Sequence, residues 1–212
     1  MTGSGLFVTG TDTDAGKTVV AAALVAALGF DYWKPVQSGL DGLPGGDTAE
    51  VARLVGRQAG AFPPPAWAFR AALAPDQAAA AEGARIDPER IVLPAWPRPL
   101  VVEGAGGLLV PLDGGFMMID LAARLGLPMV LAARTGLGTL NHTLLSLEAM
   151  ARRGLPVAGV VFSGADHPRN VDAIRRLGGV PILGRIPRLA PLTPAALAGA
   201  AARLDLAALR GC

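Results

Sequence analysis

The chain of 212 residues has one cysteine, Cys212, at its very end. An internal disulfide framework is therefore excluded, and the composition suits a reducing compartment. Concentrated charge is also missing: 19 Lys and Arg stand against 17 Asp and Glu, a net +2, and no run of like charge occurs. A nucleic-acid or anionic-membrane footprint is left without support. The longest apolar stretch, Val19 to Phe30, is far short of the roughly 20 residues a membrane span needs, and it reads as a buried helix. The N-terminus has no basic segment followed by an apolar one, so no signal peptide is expected and the chain is placed in the cytoplasm. Aromatics amount to 5% while Ala, Gly, Pro and Arg abound, a bias that a GC-rich genome explains as well as function does.

The apolar fraction is 51% and the charged fraction 17%, enough to bury a sizeable core. The length fits a single domain, 1–212. Short β-branched runs at Gly5–Thr9, Tyr32–Val36, Pro99–Glu103, Pro128–Ala133, Val157–Phe162 and Pro181–Ile186 are continuous rather than alternating, as in strands buried on both faces. Helices are expected between them at 17–28, 47–57, 75–83, 88–94, 117–126, 138–153, 168–178 and 194–209. Gly and Pro mark loops at Ser38–Gly46, Ala61–Trp67, Gly104–Gly115 and Gly184–Pro194. The alternation predicts an α/β fold with a mostly parallel sheet and helices on both faces. Ligands in such folds bind beyond the carboxyl ends of the strands, so chemistry is sought there.

The first strand ends in Gly10-Thr11-Asp12-Thr13-Asp14-Ala15-Gly16-Lys17-Thr18, followed at once by an apolar helix. Glycines there let backbone N–H groups turn toward phosphate oxygens, and the helix start adds its positive dipole end. Lys17 would reach the β- and γ-phosphates of ATP, and the Thr18 hydroxyl would ligate Mg²⁺. Five residues separate Gly10 from Gly16, one more than in the standard phosphate loop. Asp12 and Asp14 would repel triphosphate unless each meets a metal, a backbone N–H or a cationic substrate. Capping of the helix by Asp14 is an equal alternative.

Lys34 lies in an apolar run at the end of the second strand. A buried ammonium needs a partner, and beside a phosphate loop the lysine is expected to project into the site. Asp47 stands at a helix start with Glu50 three residues on, a capping-box spacing. Leu100-Val101-Val102-Glu103-Gly104-Ala105-Gly106-Gly107 ends an apolar strand on a carboxylate, the layout that presents a metal ligand in a phosphate-loop fold. Thr18, Asp47 and Glu103 are hard oxygen donors of the kind Mg²⁺ prefers. Gly136 to His142 opens a helix whose N–H groups could hold another anion.

The segment from Val8 to Thr18 resembles the opening signature of the dethiobiotin synthetases, in which the longer loop is usual. Lys34-Pro35-Val36-Gln37-Ser38-Gly39 and the Val-Glu-Gly-Ala-Gly-Gly string resemble that family in turn. The resemblance implies ATP-dependent carboxylation of 7,8-diaminononanoate with CO₂ and closure to dethiobiotin. It implies that Lys34 stabilises the carbamate and the transferring phosphoryl, with Lys17 and Thr13 also catalytic. Ser38 would bond the substrate, and Asp47 would join Thr18 and Glu103 around Mg²⁺. Nucleotide contacts would come from Thr13, Asp14, Ala15, Gly16, Lys17 and Thr18, from Asp47, and from Glu103, Gly104, Ala105 and Gly106. Ser163, Gly164, Pro187, Arg188 and Leu189 would complete them. The substrate would meet Thr13, Lys34, Ser38 and Gly106 and, across a homodimer interface, Leu137, Gly138, Thr139 and Asn141; His142 would cap or face that interface.

Two stretches depart from the family. Ala74-Pro75-Asp76-Gln77 replaces its Ser-Pro-His, and Phe162 leads into Ser163-Gly164 where an Asn usually reads adenine. Pro194 replaces a frequent acidic residue. A serine cannot bond a base bidentately, so weaker discrimination for adenine is expected. The rival reading is a partition-type switch ATPase, which shares the fold. Thr11 and Asp12 stand where that class carries a signature lysine, and the C-terminal helix holds only Arg203 and Arg210 rather than a basic amphipathic face.

Overall fold

The computed structural model describes residues 4–209; Arg210 and Cys212 lie outside them. Strand β1 (Gly5–Gly10) leads into helix α1 (Lys17–Leu28), which Gly29 ends in the left-handed conformation by returning its N–H to the Val25 carbonyl. Next come β2 (Asp31–Trp33), β3 (Val36–Gln37), α2 (Gly46–Leu54), β4 (Trp67–Ala68) and α3 (Pro75–Ala81). After them run β5 (Leu100–Gly107), the small strands β6 (Pro111–Asp113) and β7 (Phe116–Met117), and α4 (Met118–Leu125). The chain continues through β8 (Met129–Arg134), α5 (Thr139–Arg152), β9 (Val157–Ser163), α6 (Pro168–Gly178), β10 (Ile182–Ile186) and α7 (Pro194–Ala201).

Six strands form one parallel sheet in the order β10-β9-β8-β1-β5-β2. Alternation along β1 divides the core: Phe7 packs on one face with Val102, Met129, Leu131 and Phe162, while Leu6 and Val8 pack on the other with Val20, Leu24, Val101 and Leu197. Each fully buried Leu, Val or Phe contributes about 1.5–3 kcal/mol. Almost every side of α1 is apolar because the sheet, α2 and α7 enclose it. The chain leaves β1 toward β5 and β2 on one side and returns to β8, β9 and β10 on the other. The carboxyl end of β1 therefore sits at the point where strand order reverses, where such folds open a crevice.

The expected fold class holds, and the departures from it have local causes. The second strand stops at Trp33 rather than Val36. Pro35 has no N–H, and its carbonyl instead accepts from Ala66 and Trp67, so Val36–Gln37 leaves the main sheet and pairs with β4. The helix expected over 88–94 is a single 3₁₀ turn, Pro88–Arg90, capped by Asp87, whose side chain accepts from the Glu89 N–H. The last helix ends at Ala201, eight residues early; the chain turns so that Leu204 and Leu206 enter the core and the Asp205 N–H reaches the Leu183 carbonyl at 2.7 Å. The glycine-rich stretch after Glu103 stays in the sheet to Gly107, which pairs with Gly10, and a short antiparallel hairpin follows it.

Candidate active site

The register between β1 and β5 sets Glu103 beside Val8, with the phosphate loop starting two residues further along β1. Lys34 follows β2 immediately and points inward; it is 4% exposed and Glu103 is 1% exposed. The Lys34 ammonium lies 2.8 Å from Glu103 Oε1 and 2.8 Å from Asp47 Oδ2, and it donates to the Gly104 carbonyl at 3.2 Å. The Thr18 hydroxyl lies 3.1 Å from Glu103 Oε1 and 3.3 Å from Asp47 Oδ1. Lys17 donates from Nζ to the carbonyl of Asp12 at 3.0 Å, inside its own loop.

Burial alone would lower the pKa of Lys34, but Glu103 and Asp47 outweigh it and hold the ammonium above the ordinary lysine range. Lys17 goes the other way: burial, and then repulsion from Lys34, push its pKa down. Two lysines with opposite tuning thus share one pocket, of which one is locked by carboxylates and the other is held only by a backbone carbonyl.

A cleft of about 760 Å³ opens above this cluster. Thr13, Asp14, Gly16, Lys17, Thr18, Lys34, Ser38, Asp47, Glu103, Ala105 and Gly106 all line it. Ala15 is buried behind the loop, and Gly104 contributes its carbonyl to Lys34. Ala72, Leu73, Ala74, Pro75 and Val110 form the less polar wall, and the Ser38 hydroxyl donates to the Leu73 carbonyl at 3.0 Å, which ties that wall to β3.

Two capping expectations are corrected. The N-cap of α1 is Gly16, with no side-chain cap; Asp14 adopts φ 58° and faces the cleft. The N-cap of α2 is Gly45, again without a side-chain cap; Asp47 is spent on Lys34 and Thr18, and Glu50 on Arg53. Asp12 does find a backbone partner: its carboxylate accepts from the Thr13 N–H at 2.7 Å and faces Arg134 at 3.4 Å.

The remaining site residues lie apart from the cleft. Leu137 is fully exposed, Gly138 and Asn141 are exposed, and Thr139 is buried, its hydroxyl bonded to the Arg134 carbonyl and shared with Thr143. His142 is exposed. Ser163 ends β9 against the phosphate loop, its Oγ 2.5 Å from where a Cβ on Gly16 would fall. Gly164 gives its N–H to the Ile186 carbonyl and accepts from Arg185 at 2.9 Å. Pro187 and Leu189 are half-buried and Arg188 is exposed.

Two residues of the cluster were not foreseen. Gln37 accepts the Asp47 N–H on Oε1 at 2.9 Å and packs so closely on Gly46 that a Cβ there would lie 2.6 Å away. Tyr32 donates its hydroxyl to Glu103 Oε2 at 2.8 Å, and burial beside that carboxylate raises its pKa well above the usual tyrosine value, so it stays a donor. The available signals were a polar residue inside an apolar run and the lone tyrosine of the chain, whose buried hydroxyl requires a partner.

A strand that ends in a glycine-bounded loop, a lysine and threonine opening the next helix, and a carboxylate at the end of the adjacent strand together define a phosphate-loop nucleotide-binding enzyme. A family model described as an AAA domain matches residues 4–196. The chain is 50% identical over 92% of its length to the ATP-dependent dethiobiotin synthetase BioD of Afipia carboxidovorans, covering 92% of that protein. It is 54% identical over 87% of its length to the biotin biosynthesis bifunctional protein BioCD of Bordetella avium, of which it spans 40%. The chain belongs to the ATP-dependent dethiobiotin synthetase family. Among solved structures, a ParA family ATPase from Chlorobium tepidum superposes with a TM-score of 0.57 at 16% identity, over 100% of this chain and 96% of that one, a likeness of fold alone.

Proposed function

We propose that this protein carboxylates and closes 7,8-diaminononanoate with CO₂ at the expense of ATP, giving dethiobiotin, ADP and phosphate. The observation that carries the reading is the Lys34 ammonium, buried between Glu103 and Asp47 at 2.8 Å from each and facing the same cleft as Lys17. Phosphoryl transfer is mostly positioning and neutralisation of charge, and two ammonium groups at the mouth of a phosphate loop supply both.

One amine of the substrate takes up CO₂ as a carbamate. A carbamate oxygen attacks the γ-phosphorus, the bond to the ADP oxygen breaks, and a carbamic–phosphoric anhydride forms. The second amine then attacks the carbamoyl carbon, expels phosphate, and closes the five-membered urea. Lys17 follows the transferring phosphoryl, while Lys34 holds the carbamate and its developing anhydride. Thr13 and Ser38 border the substrate, and Asp14 is placed to meet a substrate amine. No side chain forms a covalent bond, in keeping with a cluster that holds lysines and carboxylates rather than a nucleophile and its base.

The donor set fits Mg²⁺. Thr18 Oγ1 lies within 3.3 Å of both carboxylates, and Lys34 already occupies a cation's position between them. Among the described residues no three His, Cys, Asp or Glu side chains gather into a metal centre of their own, which suits an ion that completes its shell with phosphate oxygens and water. Thr18, Asp47 and Glu103 would hold it, and when bound it would neutralise charge on the β- and γ-phosphates.

The base is assigned to Ser163, Gly164, Pro187, Arg188 and Leu189, at and beyond the carboxyl ends of β9 and β10. A homodimer accounts for the remaining segment: Leu137, Gly138, Leu140 and Asn141 are exposed, as is Leu145, and an uncapped helix start at Gly138 could receive a partner-bound substrate carboxylate. Light scattering tests the dimer. Incubation with MgATP, bicarbonate and 7,8-diaminononanoate, with the product identified by mass, tests the activity. ATP hydrolysis that ignores the diamine and yields no cyclic urea would favour a switch ATPase.

A further inference from the structure

Strands β2 and β5 run parallel with Tyr32 beside Val101. Residues two apart on a strand share a face, so Glu103 projects on the side of Val101, one step nearer the cleft. The Tyr32 ring lies along that same face among Val20, Leu24 and Phe62, and its hydroxyl reaches Glu103 Oε2 at 2.8 Å. Glu103 Oε1 is left to Thr18 and Lys34. The two oxygens of this carboxylate therefore do different work, although the terminal torsion of a glutamate is broad and roughly two-fold and would not by itself keep them in these places.

We propose that Tyr32 is a positioning residue for the metal site: by holding Oε2 it fixes the plane of the Glu103 carboxylate and presents Oε1 to Mg²⁺. The inference rests on Glu103 being a Mg²⁺ ligand, as proposed above. Partners of this kind, one bond behind a ligand, change metal affinity by about 10–100-fold when removed.

The test uses the intact chain and ADP as the probe, with ADP affinity measured by calorimetry over a series of Mg²⁺ concentrations. Tyr32→Phe deletes the hydroxyl and keeps the ring. The expected result is that the Mg²⁺ concentration giving half its effect on ADP binding rises by about tenfold, while ADP affinity without Mg²⁺ stays as in the parent protein. Phe62→Leu is the comparison, because the Phe62 ring packs edge-on against the Tyr32 ring, 6.0 Å between centres, so the change alters packing and keeps the hydroxyl. It should lower the thermal midpoint and leave the Mg²⁺ dependence alone. Equal Mg²⁺ shifts in both variants would reduce Tyr32 to a packing residue and overturn the inference, as would a parent-like Mg²⁺ dependence in Tyr32→Phe. A parent protein whose ADP binding ignores Mg²⁺ would instead overturn the metal assignment itself, and the role of Tyr32 with it.

Discussion

Asp31 and Lys34 stand three residues apart at opposite ends of β2, and both are buried charges, 2% and 4% exposed. Asp31 is enclosed at the amino end: Arg57 reaches it at 2.5 Å, the Trp96 indole N–H at 2.6 Å and Arg98 at 3.5 Å. Lys34 is equally well partnered at the carboxyl end, but its partners Asp47 and Glu103 also line a cleft and share Thr18. A buried charge alone is thus no sign of a site. Asp31 is a clasp that fastens Trp96, Arg98 and Arg57 to the sheet, whereas Lys34 is a charge that lines an open cleft.

The contrast should break cleanly under substitution. Lys34→Ala removes a preorganised charge from the transferring phosphoryl, and kcat for ring closure should fall about 10²–10³-fold, the usual loss when one such donor is deleted. The protein should remain folded by circular dichroism. A variant with near-parent turnover would take Lys34 out of the mechanism. Asp31→Asn should do the reverse. It neutralises a clasp whose Arg57 partner is only partly buried, so unfolding in urea should show a loss of about 2 kcal/mol, below the 3–5 kcal/mol of a fully enclosed pair. kcat measured well below the unfolding midpoint should be unchanged. A fall in kcat would mean that the amino end of β2 communicates with the cleft and that the two ends are not independent.

Most of the geometry of the carboxyl end was legible in the sequence because it rests on residues that apolar strands rarely contain. Lys34 and Glu103 each interrupt a hydrophobic run, and the phosphate loop lies at a strand-to-helix boundary. The parallel sheet covered on both faces follows from continuous apolar runs, whereas the strand order depends on which strands meet in space. What stayed hidden depends on tertiary neighbours. Asp31 reads as an unremarkable acid after a glycine and a phenylalanine until Arg57 and Trp96 are brought to it. The capping-box spacing of Asp47 and Glu50 is genuine in sequence, yet a closer pair of partners takes each side chain away from the helix start. Pro35 diverts β3 because its carbonyl, unlike its nitrogen, can still join a ladder, which a search for apolar runs does not reveal.

A gentler substitution probes where the phosphate loop meets the far side of the cleft. Gly16 holds φ 85°, and a Cβ there would fall 2.5 Å from Ser163 Oγ and 2.7 Å from its Cβ. Gly16→Ala combines that collision with about 1–2 kcal/mol of left-handed strain, so ADP affinity should drop by more than the about tenfold that the strain alone would cost. Adding Ser163→Gly removes the collision and leaves the strain, so affinity should recover only in part. Full recovery would show that the loop tolerates the conformation and that Ser163 alone sets its position.

The smallest expected effect concerns the base. The residues proposed for it are Ser163, Gly164 and Pro187–Leu189, at and beyond the carboxyl ends of β9 and β10, where Arg185 is already committed to the Gly164 carbonyl at 2.9 Å. Ser163 offers one hydroxyl, which donates and accepts at a single atom, where a carboxamide would present a donor and an acceptor on two atoms side by side. One neutral hydrogen bond is worth about 0.5–1.5 kcal/mol, so it separates two bases by about tenfold at most. The kcat/KM values for ATP, CTP, GTP and ITP with saturating diamine should therefore lie within about one order of magnitude of each other. A thousandfold preference for ATP corresponds to about 4 kcal/mol, more than one hydroxyl can supply. It would mean that the base is read by backbone groups in a conformation that closes only when nucleotide binds, and that the open half of the carboxyl end is as specific as the half that buries Lys34.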